Sequence, residues 1–104
     1  MRRGEVWWAV FPQPVGRRQV LLLSRDSAYQ VRTSVSVAPL SSTVRGIPVE
    51  VALGAEEGFT SPTVINLDNI LTIPRSYLKE AVTALPAEKM SEVAQAIKFS
   101  LELE

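Results

Sequence analysis

The chain has 104 residues, 46% of them apolar, and contains neither histidine nor cysteine. That length suits one folded domain over residues 1–104. The missing residues remove the commonest acid/base, the thiol nucleophile and the usual zinc ligands, so any catalysis must run on arginine, hydroxyls and carboxylates, with no cofactor called for.

Eleven basic and eleven acidic residues cancel overall, but they are unevenly placed. Residues 1–45 carry seven arginines against Glu5 and Asp26, while the remainder is acidic. This split suggests a polyanion-binding face backed by a solvated acidic one. No stretch approaches the roughly 20 apolar residues needed to span a bilayer, and the N-terminus lacks a signal-peptide pattern. A cytoplasmic protein is expected.

Gly4 to Phe11 reads as a strand, with Val6, Trp8 and Val10 on one face and Trp7, Ala9 and Phe11 on the other. Both tryptophans read as core or interface, because their neighbours Val6, Ala9 and Val10 offer no basic partner. A Pro/Gly-rich loop over 12–16 leads into a second strand, Arg17 to Ser24, containing the strongest apolar run, Val20 to Leu23. Asp26 or Ser27 is placed to cap a single helical turn through Gln30.

A third strand spans Ser34 to Leu40 and runs into the hydroxyl-rich loop Ser41-Ser42-Thr43-Val44-Arg45-Gly46. Val49 to Leu53 follows as a fourth strand, then a polar turn over 54–58. Thr63 to Leu67 and Ile70 to Ile73 form two short strands around Asp68-Asn69. Short strands separated by turn residues indicate a small barrel or two packed antiparallel sheets. After Pro86 the period changes: Met90, Val93, Ala94, Ile97 and Leu101 recur at helical spacing, predicting a helix of about four turns that covers one face of the barrel.

Three loop sites could carry chemistry: Gly16-Arg17-Arg18, Leu40 to Arg45, and Asn66 to Asn69. The first begins one strand and the second ends another, so antiparallel pairing brings both to one edge. Guanidinium and hydroxyl would then meet on one oxyanion. Taken singly, each element is as readily a solvated strand edge or an ordinary turn.

Their order along the chain is more specific. An Arg-Arg-Gly-Glu-Val-Trp opening is followed by Gly-Arg-Arg-x-Val-Leu-Leu-Leu-Ser-Arg and Val-Ala-Pro-Leu-Ser-Ser-Thr-Val-Arg-Gly-Ile-Pro-Val-Glu-Val. Then come Val-Ile-Asn-Leu-Asp-Asn-Ile and a Lys-Met-Ser-Glu-Val helix. From Arg3 to about Leu101 this series resembles the MazF/PemK (Kid) toxins of bacterial toxin–antitoxin pairs.

The resemblance implies a mainly β, SH3-like barrel with a C-terminal helix, and a homodimer. It also implies a metal-independent, sequence-selective endoribonuclease that cleaves single-stranded mRNA and is restrained by a cognate antitoxin. The family's catalytic arginine opens the second strand, at Arg18, and its hydroxyl partner follows the third, at Ser41. Arg17, Ser42, Thr43, Arg45 and Asn69 would help hold the RNA. In the PemK branch an acidic residue handles protons, and the matching position is Asp68; the arginine that this branch uses two positions earlier is Asn66 here.

An arginine side chain stays charged at neutral pH, so Arg18 is expected chiefly to stabilise transition-state charge, with proton transfer open to water, Asp68 or a transiently deprotonated group. The chain departs from the pattern in a shorter loop before Arg17 and in Gln19, where the family usually has proline. Two alternative readings are an inactive barrel that only binds a partner and a non-catalytic inhibitor like the gyrase poison CcdB, which shares the barrel. That protein works through a C-terminal tryptophan, whereas this chain ends Leu101-Glu102-Leu103-Glu104.

Overall fold

The computed structural model describes residues 1–104. Seven strands appear in chain order: β1 (Glu5–Val10), β2 (Arg17–Leu22), β3 (Ser34–Ser41), β4 (Glu50–Leu53), β5 (Thr63–Asn66), β6 (Leu71–Pro74) and β7 (Leu78–Ala84). A single helical turn, α1 (Ala28–Val31), joins β2 to β3, and α2 (Ala87–Ser100) closes the chain. All pairings are antiparallel, in the order β4-β5-β3-β2-β1-β7, with β6 also paired to β3. The expected fold is the one observed, a mainly β barrel-like sheet with a C-terminal helix.

β3 is the strand on which the sheet turns. Its first half pairs with β6 through Ser34↔Pro74 to Val37↔Leu71, and its end pairs with β5 through Leu40↔Ile65 and Ser41↔Val64. Two short strands therefore share one edge of a longer one. The change of partner falls at Ala38-Pro39, where proline contributes no backbone donor.

The apolar run in β2 is continuous because both of its faces are buried. Leu21 and Leu23 join Val6, Ala38, Ile65, Leu67 and Val93 in one core, which α2 covers. Val20 and Leu22 join Ala9, Tyr29, Val35, Val37 and Ile73 in a second core on the other side. The two faces expected for β1 are present, with Val6 in the first core and Trp7, Ala9 and Phe11 at the second. Gly16, at φ 67°, closes the β1–β2 loop, where Phe11 N–H donates to Gly16 O at 2.9 Å. That left-handed conformation favours glycine.

Three expectations need correction. β7 adds a strand with no periodic signal in the sequence; it is mostly exposed and pairs with β1 through two register shifts. Neither Asp26 nor Ser27 caps α1 with its side chain: Ser27 stands at the cap without such a bond, and the Asp26 carboxylate accepts from Arg3 N–H at 2.7 Å. α2 does have its four turns, and Lys89 Nζ ties it to Ala52 O at 2.7 Å. Its stripe ends earlier than the periodicity implies, with Val93 and Ala96 buried, Met90 and Ile97 packed beside them, and Leu101 exposed.

Candidate functional site

β1 and β2 pair from Val6↔Leu21 to Val10↔Arg17, which fixes Arg17 and Arg18 at the end of a strand clamped by both cores. β2 and β3 pair as Leu22↔Val37, Leu21↔Ala38 and Val20↔Pro39. Extending that register by two residues sets Arg18 opposite Ser41. An open cavity of about 490 Å³ lies at this end of the sheet, lined by Arg17, Arg18, Gln19, Leu40, Ser41 and Ser42. The loop between β4 and β5 supplies the facing wall with Gly58, Phe59, Thr60 and Ser61, and Thr63, Trp8 and Val82 complete it.

The lining is cationic and hydroxyl-rich, and no carboxylate belongs to it. Arg17 and Arg18 are held differently. Arg17 pairs with Glu80 on β7 at 3.4 Å, and its guanidinium carbon stands 4.1 Å from the centroid of the Trp8 ring. Arg18 has no ion-pair partner; its side chain donates only to Arg17 O, at 3.4 Å. The free cation on the cavity is Arg18.

Ser41 is oriented by its own loop. Its Oγ accepts Thr43 N–H at 3.0 Å, a local turn that leaves the hydroxyl proton free to donate. Ser42 also lines the cavity, whereas Thr43 contributes its backbone to the turn and is absent from the lining. Further along, Arg45 N–H and Gly46 N–H donate to the Glu50 carboxylate at 3.0 and 2.8 Å, which closes the loop back onto β4. The Arg45 side chain is exposed and stands outside the cavity.

Asp68 and Asn69 are not brought to this cavity. Thr63 opens β5 at the cavity and Asn66 ends it three residues later, roughly 10 Å along the strand. There Asn66 Oδ1 accepts Asp68 N–H at 2.9 Å, and Asp68 Oδ1 accepts from Ser100 Oγ at 2.7 Å. Within one chain, Asp68 faces the C-terminal end of α2. The arginines are likewise divided: Arg2 pairs with Asp26, and the Arg3 guanidinium donates to Leu23 O, at the other end of β2. The cationic face expected from the charge split is thus a short patch around Arg17 and Arg18.

The site contains residues that the sequence did not single out. Trp8 has a basic neighbour after all, Arg17, supplied by the adjacent strand rather than by its own flanks. Phe59, Thr60, Ser61 and Thr63 also belong to the site. Their signal was a second Ser/Thr cluster after a glycine, resembling the run at 41–43.

Comparison with known proteins follows the same lines. Residues 2–101 match the family described as PemK-like, MazF-like toxin of type II toxin–antitoxin system. The chain is 39% identical over 101 residues to a probable endoribonuclease MazF2 of Mycobacterium tuberculosis, covering 96% of this chain and 97% of that protein. It is 30% identical to endoribonuclease EndoA of Bacillus subtilis, covering 99% and 96%. Among solved structures, the Mycobacterium tuberculosis toxin MazF-mt6 superposes with a TM-score of 0.87 at 33% identity, covering 96% of this chain and 98% of that one. A mycobacterial endoribonuclease in complex with its cognate antitoxin gives 0.88 at 25% identity, covering 100% and 97%.

Proposed function

This chain belongs to the PemK-like, MazF-like toxin family of type II toxin–antitoxin systems, and from that membership we propose that the Arg18–Ser41 cavity is where it cuts RNA. Its activity is endoribonucleolytic, as in relatives that match it over almost their whole length. The substrate is single-stranded RNA. The observation that carries this reading is the unpaired Arg18 cation sharing a carboxylate-free, hydroxyl-lined cavity with Ser41.

The ribose 2′-OH adjacent to the cut supplies the nucleophile. It attacks phosphorus and gives up its proton as the 5′-oxygen leaves and takes one, producing a 2′,3′-cyclic phosphate and a free 5′-OH. Negative charge builds on the non-bridging oxygens during this step, and preorganised donors aimed at that charge lower the barrier. Arg18 offers a planar fork of donors to two such oxygens. Ser41, with its oxygen already engaged by Thr43 N–H, donates its proton to the phosphate. Nothing in this step calls on a metal ion.

Ser42 and the loop hydroxyls Thr60 and Ser61 hold flanking phosphates, while Thr43 and Arg45 shape the loop through their backbone bonds. The family reading brings two partners: a cognate antitoxin and a second copy of the chain. Exposed Val44, Ile47, Phe99, Leu101 and Leu103 offer apolar surface for such contacts. Purified protein incubated with a long single-stranded RNA in EDTA, followed by primer extension, tests the function. Discrete cuts ending in cyclic phosphate support it, and intact RNA overturns it.

A further inference from the structure

Two adjacent arginines on one cavity do not do the same work. Arg18 is unpaired, whereas Arg17 is fixed on two sides, by the Trp8 ring 4.1 Å beneath its guanidinium and by Glu80 at 3.4 Å. A cation already paired with a carboxylate is a poor phosphate clamp. The pair is also a weak stabiliser of the fold, because both side chains are more than half exposed. Its geometric effect is more definite. Glu80 and Trp8 hold the guanidinium over the indole ring, at the cavity that both Arg17 and Trp8 line.

A guanidinium plane is a surface on which unstacked RNA bases stack, and an aromatic ring beneath it keeps it in place. We propose that Trp8, Arg17 and Glu80 form a stacking platform for one nucleobase of the RNA, next to the phosphate that Arg18 holds. The inference rests on the endoribonuclease reading and adds a division of labour to it. Arg18 takes the phosphate and Arg17 takes a base. Trp8 and Glu80 are positioning residues, acting through Arg17.

The consequences of substitution follow from what each change preserves. Arg17→Lys keeps the charge and loses the plane. Glu80→Gln keeps the shape and weakens the tether, and it lies on an exposed part of β7 where folding is not at stake. If Arg17 merely gripped phosphate, Arg17→Lys would weaken every RNA alike and leave the penalty for a missing base unchanged.

The experiment is an abasic scan. A short single-stranded RNA, made uncleavable by 2′-deoxy substitution, carries one abasic nucleotide at each position in turn, and binding is read by fluorescence anisotropy. Wild type should show one position where loss of the base weakens binding about tenfold, with the penalty below about threefold in Arg17→Lys and intermediate in Glu80→Gln. Equal penalties in wild type and Arg17→Lys at every position overturn the platform, as does failure of the RNA to bind. Cleavage of intact RNA is scored separately. Cutting without the abasic difference sinks the platform and leaves the ribonuclease standing, while the difference without cutting does the reverse.

Discussion

Ser100 Oγ, on the last turn of α2, donates to Asp68 Oδ1 at 2.7 Å. The bond fastens the end of the helix to the β5–β6 turn and gives Asp68 a partner away from Arg18. Asp68→Ala should therefore cost about 1 kcal/mol of stability, measured by urea denaturation, since it leaves the Ser100 hydroxyl without this acceptor. RNA cleavage by the same variant should stay within about twofold of wild type across pH. A loss above tenfold, with a changed pH profile, would instead place Asp68 in proton transfer.

Arg18→Ala should lower kcat/KM for RNA by at least tenfold, about 1.4 kcal/mol of barrier, with Tm unchanged because the side chain is exposed. Arg18→Lys should recover only part of the loss, since an ammonium lacks the two-pronged fork. Steady-state kinetics alongside thermal melts will separate chemistry from folding.

Ser41→Ala should also fall at least tenfold, and Ser42→Ala by less than about threefold. The difference arises because Ser41 alone is positioned by Thr43 N–H. Equal losses at the two positions would move the assignment to the loop as a whole.

Binding of a non-cleavable RNA should weaken with salt, and Arg18→Ala should flatten the logarithmic slope by about 0.7, the contribution of one phosphate contact on a single strand. An unchanged slope would mean that Arg18 meets no phosphate.

Tyr29 makes an alkaline prediction. Its ring sits in the second core with the hydroxyl buried and unpartnered, and burial pushes its pKa from 10.0 to about 12, partly offset by nearby Ser24. In the unfolded chain the phenol loses its proton near pH 10 while the folded chain retains it, so stability falls as pH rises from 10 toward 12. Below pH 10 both states are protonated and the effect vanishes. Tyr29→Phe should flatten this alkaline decline in denaturation curves, at little or no cost at pH 7.

The sequence made some elements legible and hid others for physical reasons. β2 announced itself because burial on both faces leaves an uninterrupted apolar run, and β3 because Val35 and Val37 are buried while Ser34 and Ser36, which alternate with them, are not. α2 was readable from Val93 and Ile97, which pack on the sheet, while Leu101 continued the period past the point where the helix has anything to cover. β7 was hidden because it faces solvent along most of its length, so Lys79, Glu80 and Val82 carry no pattern. Arg18 and Ser41 were legible as strand ends that antiparallel pairing joins. Trp8 and the Phe59–Ser61 wall were not, because they reach the cavity through pairings and a loop path that no local spacing encodes.

The β4–β5 connection borders the cavity and the β1–β2 loop leads into it at Arg17, yet neither carries the Arg18 guanidinium or the serine, which sit on strands locked between two cores. Retargeting is therefore separable from turnover: segments 12–16 and 55–62 can be exchanged or randomised to seek new cut sequences while the cutting groups stay in register.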